Sequence, residues 1–472
     1  MRTIDTLLCC RWVIPVRPRG QILKEHAIAI DGGRIVGVLP VAQAQREFSA
    51  RETVTLPQHV VTPGLVNAHT HAAMSLLRGV GDDMPLSRWL GERIWPLEAA
   101  LACEQFVYDG TRLAALEMLR GGQTTCSDMY FFPEAAARAL REVGMRAVVG
   151  IVAIEFPTAY ATDADDYLRK GLATRDALRD DPLVSFTLAP HAPYTVADAT
   201  LARIAVLAEE LDLPVHIHVH ETAQEIEDSV RQYGLRPLAR LDRLGLVTER
   251  LLAVHAVHLE EAEVALLAAR GATAVHCPSS NLKLASGIAR VAAFSAHRVN
   301  LALGTDGAAS NNRLDLLEEM RLAALLAKGA SGDASALPAS AVLEAATLGG
   351  ARALGLAQRI GSIEVGKEAD LVAFDLGAVE TQPCFDPLSH LVYACGREQV
   401  SDVWVGGRRV VRTRQAIDLS GAPLAGAILA PVAAWQNRIG QLLGACDHGH
   451  RAQPAAAPVS STDSRSGAGH LR

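Results

Sequence analysis

Lysine is scarce in this sequence: among 472 residues it occurs only at positions 24, 170, 283, 328 and 367. Aromatic residues make up 4% of the chain, which argues against the stacking platforms that bind single-stranded nucleic acid. Acidic residues outnumber basic ones, 52 to 45, and give a net charge of −7. Because such a chain has no broad electrostatic attraction for nucleic acid, we predict that nucleic acid is not a partner.

Cysteine is also sparse. The eight cysteines are too few for a disulfide framework, and no two have the Cys-x-x-Cys spacing of a structural zinc site. No apolar run approaches the length of a membrane span. The N-terminal segment carries Asp5 and Arg11 and lacks a small-residue cleavage site, which indicates a strand and not a signal peptide. We therefore expect a cytoplasmic protein that does not bind a membrane.

Apolar residues are plentiful, at 49% of the chain, which is enough for a large core. Residues 61–364 alternate short apolar runs with stretches of helical period. The runs predicted as strands are 60–67, 122–128, 146–154, 183–190, 213–219, 250–256, 272–277 and 299–305. Eight strands that are each followed by a helix predict an α/β fold, a (β/α)₈ TIM-like barrel.

The two flanks of this region have a different pattern. Residues 1–60 and 365–420 contain short β-branched runs with glycine turns, such as the turn after Asp31. We expect antiparallel strands from both flanks to form one small β-sandwich domain, with the barrel inserted between its halves. Residues 421–446 are predicted to be a C-terminal helix. Residues 447–472, rich in Gly, Ser, Pro and Ala, are predicted to be a disordered tail.

Histidines and a carboxylate stand at the ends of several predicted strands. His69 and His71 follow the first strand, His218 ends the fifth, His255 ends the sixth and Asp306 follows the eighth. Because the carboxyl ends of all barrel strands meet at one mouth, we expect these side chains to lie together there. Imidazole nitrogens together with a carboxylate oxygen are suitable ligands for a divalent ion, with Zn²⁺ expected and Fe²⁺ as the alternative. The predicted metal ligands are His69, His71, His218 and Asp306.

The lysine scarcity bears on the number of metal ions. Two-metal barrel hydrolases need a bridging group from a mid-barrel strand, commonly a carbamylated lysine. Between residues 25 and 282 the one lysine is Lys170, which lies in a predicted helix. We therefore predict one metal ion per subunit.

Glu221 is the predicted general acid and base. It lies three residues beyond His218, so it can lean over the same mouth. The alternative is a glutamate at the start of a helix that complements the helix dipole. His255 and Asp306 are expected to take the proton of the attacking water. We predict that His216 points to the opposite face from His218 and is a packing residue.

Four motifs together resemble the amidohydrolase superfamily: 62–71, 218–221, 276–281 and 304–307, with the return to the small domain at 361–372. Within it, the chain is most similar to the 5′-methylthioadenosine/S-adenosylhomocysteine deaminases, through the strings at 71–79, 82–89, 94–98 and 190–195. The resemblance implies a zinc-dependent aminohydrolase, which cleaves a C–N bond of a cyclic amidine. It also implies a homo-oligomer.

The resemblance further implies the reaction and the substrate contacts. A nucleoside such as 5′-methylthioadenosine would lose ammonia to give 5′-methylthioinosine, with S-adenosylhomocysteine as a second substrate. Glu98 would hold the ribose hydroxyls, His191 and Glu221 would contact the substrate, and a loop bearing Trp89 would close over the sugar. Some family members carry an arginine after the third strand, but residues 150–158 contain none. Glu155 would repel a carboxylate if it faced the pocket, so the neutral methylthio substrate is favoured.

Two other functions are weighed against this prediction. The same metal hydrolase could act on guanine, on another purine or pterin, or on a chlorinated triazine. A non-catalytic scaffold is the alternative from another class. A scaffold need not keep the six predicted metal and catalytic residues together, and all six are present.

Overall fold

A computed structural model describes residues 1–451 of the chain. The strands are β1 (Arg2–Val13), β2 (Leu23–Asp31), β3 (Arg34–Pro40), β4 (Phe48–Pro63), β5 (Leu65–Thr70), β6 (Gln123–Asp128), β7 (Arg146–Ala153), β8 (Val184–Pro190), β9 (Val215–Val219), β10 (Leu251–His255), β11 (Thr273–His276), β12 (Asn300–Leu303), β13 (Leu371–Asp375), β14 (Val400–Val405), β15 (Arg408–Arg412) and β16 (Gln415–Ala416).

The helices are α1 (Val41–Glu47), α2 (Leu86–Trp89), α3 (Trp95–Leu101), α4 (Glu104–Arg120), α5 (Pro133–Val143), α6 (Ala164–Leu178), α7 (Asp198–Glu210), α8 (Ala223–Tyr233), α9 (Pro237–Arg243), α10 (Glu261–Arg270), α11 (Pro278–Lys283), α12 (Val291–Ala296), α13 (Ala308–Asn311), α14 (Leu316–Ser331), α15 (Ala339–Glu344), α16 (Gly350–Ala353), α17 (Pro387–Tyr393), α18 (Ala425–Leu429) and α19 (Val432–Arg451). Short 3₁₀ segments cover Ala72–Leu77, Val379–Thr381 and Arg397–Gln399, and π-helical segments cover Leu90–Ile94 and Ala345–Gly349.

Strands β5 to β12 form a parallel sheet in chain order, with helices between them. The sheet closes through its two outer strands: the backbone N–H of Asp306 donates to the carbonyl of His69 at 3.0 Å. Beside it, the Asn67 side-chain amide donates to the hydroxyl of Thr305 at 2.7 Å. The predicted (β/α)₈ TIM-like barrel is confirmed, and all eight predicted barrel strands are present.

The first barrel strand begins later than the sequence predicted. Residues up to Pro63 belong to β4 of the other sheet, and β5 starts at Leu65. A Cβ atom at Gly64 would lie 2.2 Å from the Thr124 side chain, so glycine allows the chain to pass tightly from one sheet to the other.

The second sheet is mixed and uses both flanks of the barrel. Its strand order is β16-β15-β14-β13-β4-β1-β2-β3, and the flanks join where Ala373 of β13 pairs antiparallel with Val61 of β4. This confirms a small β domain built from the N- and C-terminal segments. The expectation that its N-terminal strands are all antiparallel is wrong, because β1 and β4 pair in parallel, as at Leu8 and Val54. The hairpin of β2 and β3 followed by α1 supplies the crossover that parallel pairing needs.

The C-terminal segment contains α18 and α19, and α19 packs beside the barrel. The Trp435 ring makes an edge contact with Phe106, and its indole N–H donates to Asp109 at 2.9 Å. Helix α19 continues to Arg451, and the rest of the predicted disordered tail, residues 452–472, lies outside the described residues. Over residues 1–451, the helices lack the combination of length and apolar character that crossing a bilayer requires.

Candidate active site

Four predicted metal ligands converge at the carboxyl ends of the barrel strands. The Nε2 atoms of His69 and His71 each lie 3.2 Å from Oδ1 of Asp306, and Nε2 of His218 lies 3.2 Å from Nε2 of His69. These side chains come from β5, from the residues after β5 and β12, and from β9. His255 also belongs to the cluster, since one of its ring nitrogens lies within 4.8 Å of those of His69 and His218.

The other nitrogen of each ligand ring is held by the protein. Nδ1 of His71 lies 2.6 Å from the carbonyl of Met129, and Nδ1 of His218 lies 2.7 Å from the carbonyl of His191. A carbonyl can only accept a hydrogen bond, so Nδ1 carries the proton in both rings and the lone pair is on Nε2. The rings are therefore oriented and protonated as metal binding requires.

His216 forms a hydrogen bond with His69. The prediction that His216 points away from His218 and only packs was wrong. Its Nε2 lies 2.8 Å from Nδ1 of His69, and its Nδ1 lies 3.3 Å from the hydroxyl of Ser127. Residues two apart on a strand share a face, so His216 lies on the same side of β9 as His218. Burial keeps the pKa of His216 well below its ordinary value, so this ring is neutral. Its Nε2 can therefore accept a hydrogen bond from the Nδ1–H of His69.

Asp306 is held in place by hydroxyl and backbone groups. Its Oδ2 accepts from Ser280 at 2.6 Å and from Ser310 at 2.9 Å, and its Oδ1 accepts from the N–H of Gly307 at 2.8 Å. Burial alone would raise the pKa of this carboxyl, but the nearby histidines outweigh burial and hold it well below the usual range. Asp306 is thus ionised and fixed in place, as an oxygen ligand of a metal ion would have to be.

Several residues at this mouth have a strained, left-handed backbone conformation. Among the non-glycine residues there, His220, His255 and Asp306 have positive φ angles of 56°, 70° and 59°. Val254 pairs in register with His218, so regular alternation would send His255 to the other face of the sheet. The left-handed turn at His255 brings its ring back to stack on His218, with ring centroids 5.4 Å apart.

Glu221 faces the cluster and is not part of a helix. It lies between the end of β9 and Thr222, which caps α8. Its carboxylate lies 3.8 Å from Nε2 of His255 and accepts a long hydrogen bond, 3.4 Å, from Ser286. Burial raises the pKa of Glu221, and the nearby His255 opposes that rise. The glutamate in the first turn of α8 is Glu225, whose carboxylate accepts a hydrogen bond from the backbone N–H of Glu221 at 2.8 Å.

His255 has a defined tautomer as well. Its Nδ1 lies 2.8 Å from the amide oxygen of Asn281, which can only accept. Nδ1 therefore carries the proton, and Nε2 is free to accept one on the side of Glu221. Asn281 and Ser280 both come from the motif at 276–281, whose individual roles the sequence did not reveal.

The cluster opens into a cavity of about 500 Å³. Its metal end is lined by the histidines, Glu221 and Asp306, and its far part by apolar side chains that include Trp95, Ile154 and Phe156. None of the described residues that line the cavity is a lysine or an arginine. Lys170 lies elsewhere, on α6, where its ammonium pairs with Asp166 at 2.9 Å.

The predicted substrate residues also line this cavity: Glu98, His191 and Trp89. Burial raises the pKa of Glu98 to about 7, against the effect of a hydrogen bond from Tyr130 at 2.8 Å. Burial lowers the pKa of His191 to about 3, so that ring is neutral. The sequence did not single out Tyr130, because a tyrosine after an apolar strand is an ordinary core residue.

The cavity wall differs from the sequence prediction at Trp89, and Glu155 is not part of it. The expected loop around Trp89 is helical, since α2, the π-helical segment at 90–94 and α3 follow one another. Trp89 is buried, and its indole N–H donates to the carbonyl of Val80 at 3.1 Å. Glu155 does not line the cavity: it accepts from the Ala197 N–H and the Thr200 hydroxyl at the start of α7.

Residues 60–410 match the model of the Amidohydrolase family. The chain belongs to the amidohydrolase family. It is 47% identical to the 5-methylthioadenosine/S-adenosylhomocysteine deaminase of Teredinibacter turnerae, over 93% of this chain and 98% of that protein. It is 45% identical to the enzyme of the same name from Saccharophagus degradans, over 92% and 97%.

Among solved structures, the amidohydrolase is similar to a zinc-bound adenosine deaminase from Xanthomonas campestris. The two are 53% identical with a TM-score of 0.91, over 93% of this chain and 99% of that one. The family expected from the sequence is confirmed, and with it a hydrolytic deaminase.

Proposed function

We propose that this amidohydrolase deaminates 5′-methylthioadenosine to 5′-methylthioinosine and ammonia, with S-adenosylhomocysteine as a weaker substrate. One observation carries the proposal: the metal cluster and Glu221 open into a cavity whose far part is apolar and has no basic side chain among its described lining residues. An adenine base suits the first part, and an uncharged thioether suits the second. The names of the curated relatives support the same pair of substrates.

The metal proposed for the cluster is one Zn²⁺ per subunit, held by His69, His71, His218 and Asp306. The donor set fits, because the Nε2 atoms of the rings and an ionised carboxylate oxygen face one another. A single ion is proposed because the mid-chain lysine lies on the outer helix α6. When bound, such an ion acts as a Lewis acid that activates water at neutral pH.

The proton transfers are assigned to three residues of the chain. Asp306 and His255 accept the proton of the water that attacks C6 of adenine, since Nε2 of His255 is the unprotonated nitrogen. Glu221 delivers a proton to N1 of the ring, because burial favours the protonated form of its carboxyl and the hydrogen bond from Ser286 is long. The proton taken from the water then passes to the amino group at C6, the C6–N bond breaks and ammonia leaves. The C6 hydroxyl returns a proton to Glu221 as the carbonyl of the inosine forms.

The substrate contacts are assigned to residues further from the metal. Glu98 accepts hydrogen bonds from the ribose hydroxyls, as charge-assisted bonds to a carboxylate. His191, whose carbonyl orients His218, contacts the nucleoside with its neutral ring. Trp89 forms a buried apolar wall beside the sugar. We place the reaction in the cytoplasm and expect a homo-oligomer. The seven cysteines whose side chains the structure describes are free thiols.

Ultraviolet absorbance and ammonia release test the proposal directly. The zinc-loaded protein should convert 5′-methylthioadenosine and lose activity on chelation, with recovery when Zn²⁺ is restored. S-adenosylhomocysteine, adenosine and guanine are measured in parallel. No turnover of any adenosine by a fully metal-loaded protein would reject the proposal and direct the search to guanine, pterins and triazines.

A further inference from the structure

Tyr130 contacts the proposed ribose-binding carboxylate. It lies two residues past the end of β6, is 6% exposed and lines the cavity. Its hydroxyl donates to Oε1 of Glu98 at 2.8 Å. Among the described residues, it is the one side chain that hydrogen-bonds Glu98. The nucleoside chemistry proposed above does not use it.

This bond ties a peripheral carboxylate to the barrel frame. Glu98 sits on the seven-residue helix α3, which lies outside the barrel strands. Tyr130 is anchored beside β6, and the residue before it, Met129, holds Nδ1 of the metal ligand His71 at 2.6 Å. Two consecutive residues therefore fix one group at the reaction centre and one at the proposed sugar site, which sets the distance between them.

The bond also acts on the charge of the carboxylate. Burial raises the pKa of Glu98 to about 7, and the hydrogen bond from Tyr130 favours the ionised form. An ionised carboxylate offers only acceptors, so it can receive hydrogen bonds from two neighbouring hydroxyls of a ribose. Tyr130 leaves the second oxygen, Oε2, free for that purpose.

We propose that Tyr130 is a positioning residue that orients the Glu98 carboxylate toward the ribose hydroxyls and so selects ribonucleosides. The inference rests on the proposed function, in which Glu98 receives these hydroxyls. Tyr130 touches no reacting atom, and its effect is on binding of the sugar and not on attack at the base.

The simpler alternative is that the bond only fastens α3 to the barrel. Tyr108 offers a matched control, because its hydroxyl also donates to a glutamate, Glu142, at 2.5 Å, but on the protein surface. Both Tyr130→Phe and Tyr108→Phe remove one tyrosine–glutamate hydrogen bond and keep the ring.

The experiment measures KM and kcat for 5′-methylthioadenosine, and the inhibition constant of 2′,3′-dideoxyadenosine, which lacks the 2′- and 3′-hydroxyls of the ribose. In zinc-loaded Tyr130→Phe, KM should rise about ten-fold while kcat stays within about two-fold. The inhibition constant should change less than about two-fold, because neither the 2′- nor the 3′-hydroxyl, which Glu98 is proposed to bind, remains in this analogue. Tyr108→Phe should leave KM, kcat and the inhibition constant unchanged.

A double-mutant cycle completes the test. Glu98→Gln should raise KM for the riboside, and adding Tyr130→Phe to it should raise KM no further, because the two residues act as one unit. An equal rise in KM and in the inhibition constant would overturn the proposal and leave Tyr130 as a packing residue, with thermal unfolding of both variants as the check on folding. Unchanged KM in Tyr130→Phe would also overturn it. If the wild-type protein releases no ammonia from 5′-methylthioadenosine, the proposed function itself fails, which is a separate result.

Discussion

The two ends of the cavity are built in opposite ways. At the metal end, buried polar groups rest on barrel strands or directly after them, and further protein groups hold the rings of His69, His71 and His218. At the far end, apolar side chains such as Trp95 and Phe156 come from segments beyond the strands and are about 40% exposed. Trp95 and Phe156 contact each other edge to face, with ring centroids 6.1 Å apart.

This difference places the catalytic groups at one end of the cavity and the groups that select the substrate at the other. Side chains on strands that are braced by a second layer of hydrogen bonds cannot change without loss of the metal geometry. Side chains on segments after the strands can change while the barrel remains, which is how this architecture serves many substrates. Substitutions at the metal end should therefore reduce turnover, and those at the far end should change the choice of substrate.

The largest effect is expected from Glu221→Gln. Glutamine keeps the size of the side chain but cannot deliver a proton, so kcat should fall at least about a hundred-fold. Metal content, measured by elemental analysis, should stay at the wild-type level because Glu221 is not a proposed ligand. If Glu221→Gln keeps the kcat of the wild-type protein, Glu221 does not take part in the proton transfers. Glu225→Gln, which alters the neighbouring carboxylate, separates a general effect of charge from the specific one.

A smaller effect, on selection, is expected from Phe156→Arg. The wild-type protein should favour 5′-methylthioadenosine over S-adenosylhomocysteine in kcat/KM by at least about ten-fold, because no basic lining side chain pairs with the amino-acid carboxylate. An arginine at the mouth should improve S-adenosylhomocysteine relative to the methylthio substrate by about ten-fold. Phe156→Leu removes the ring without adding charge and should leave the ratio low. Equal use of both substrates by the wild-type protein would show that the far end does not select by charge.

The smallest effect is expected from Trp89→Ala, at the boundary of the two ends. Loss of the buried indole removes one wall beside the sugar, so KM should rise about five-fold with little change in kcat. Trp89→Phe keeps an aromatic wall and should have a smaller effect. If KM is unchanged in Trp89→Ala, the wall does not contact the sugar.

The local patterns of the sequence were enough to predict the barrel architecture. Eight apolar runs separated by helical stretches are enough to predict the barrel, because parallel strands buried on both faces have near-continuous hydrophobic runs. The same strand prediction placed His69, His218 and Asp306 at strand ends, and the closure of the barrel brings those ends together. The pairing of β1 with β4 was missed, because strand direction depends on how a crossover packs and not on the residues of either strand.

The sequence by itself determined the fold, the family and the set of groups available for chemistry, because periodicity and motif are local properties of the chain. Only the tertiary structure decided how those groups act. The left-handed backbone of His255 turns its ring to the metal side, the Ser280 and Ser310 hydroxyls fix Asp306, and Tyr130 reaches Glu98 from another segment. Each of these depends on contacts between residues distant in the chain, and such contacts exist only once the barrel has closed.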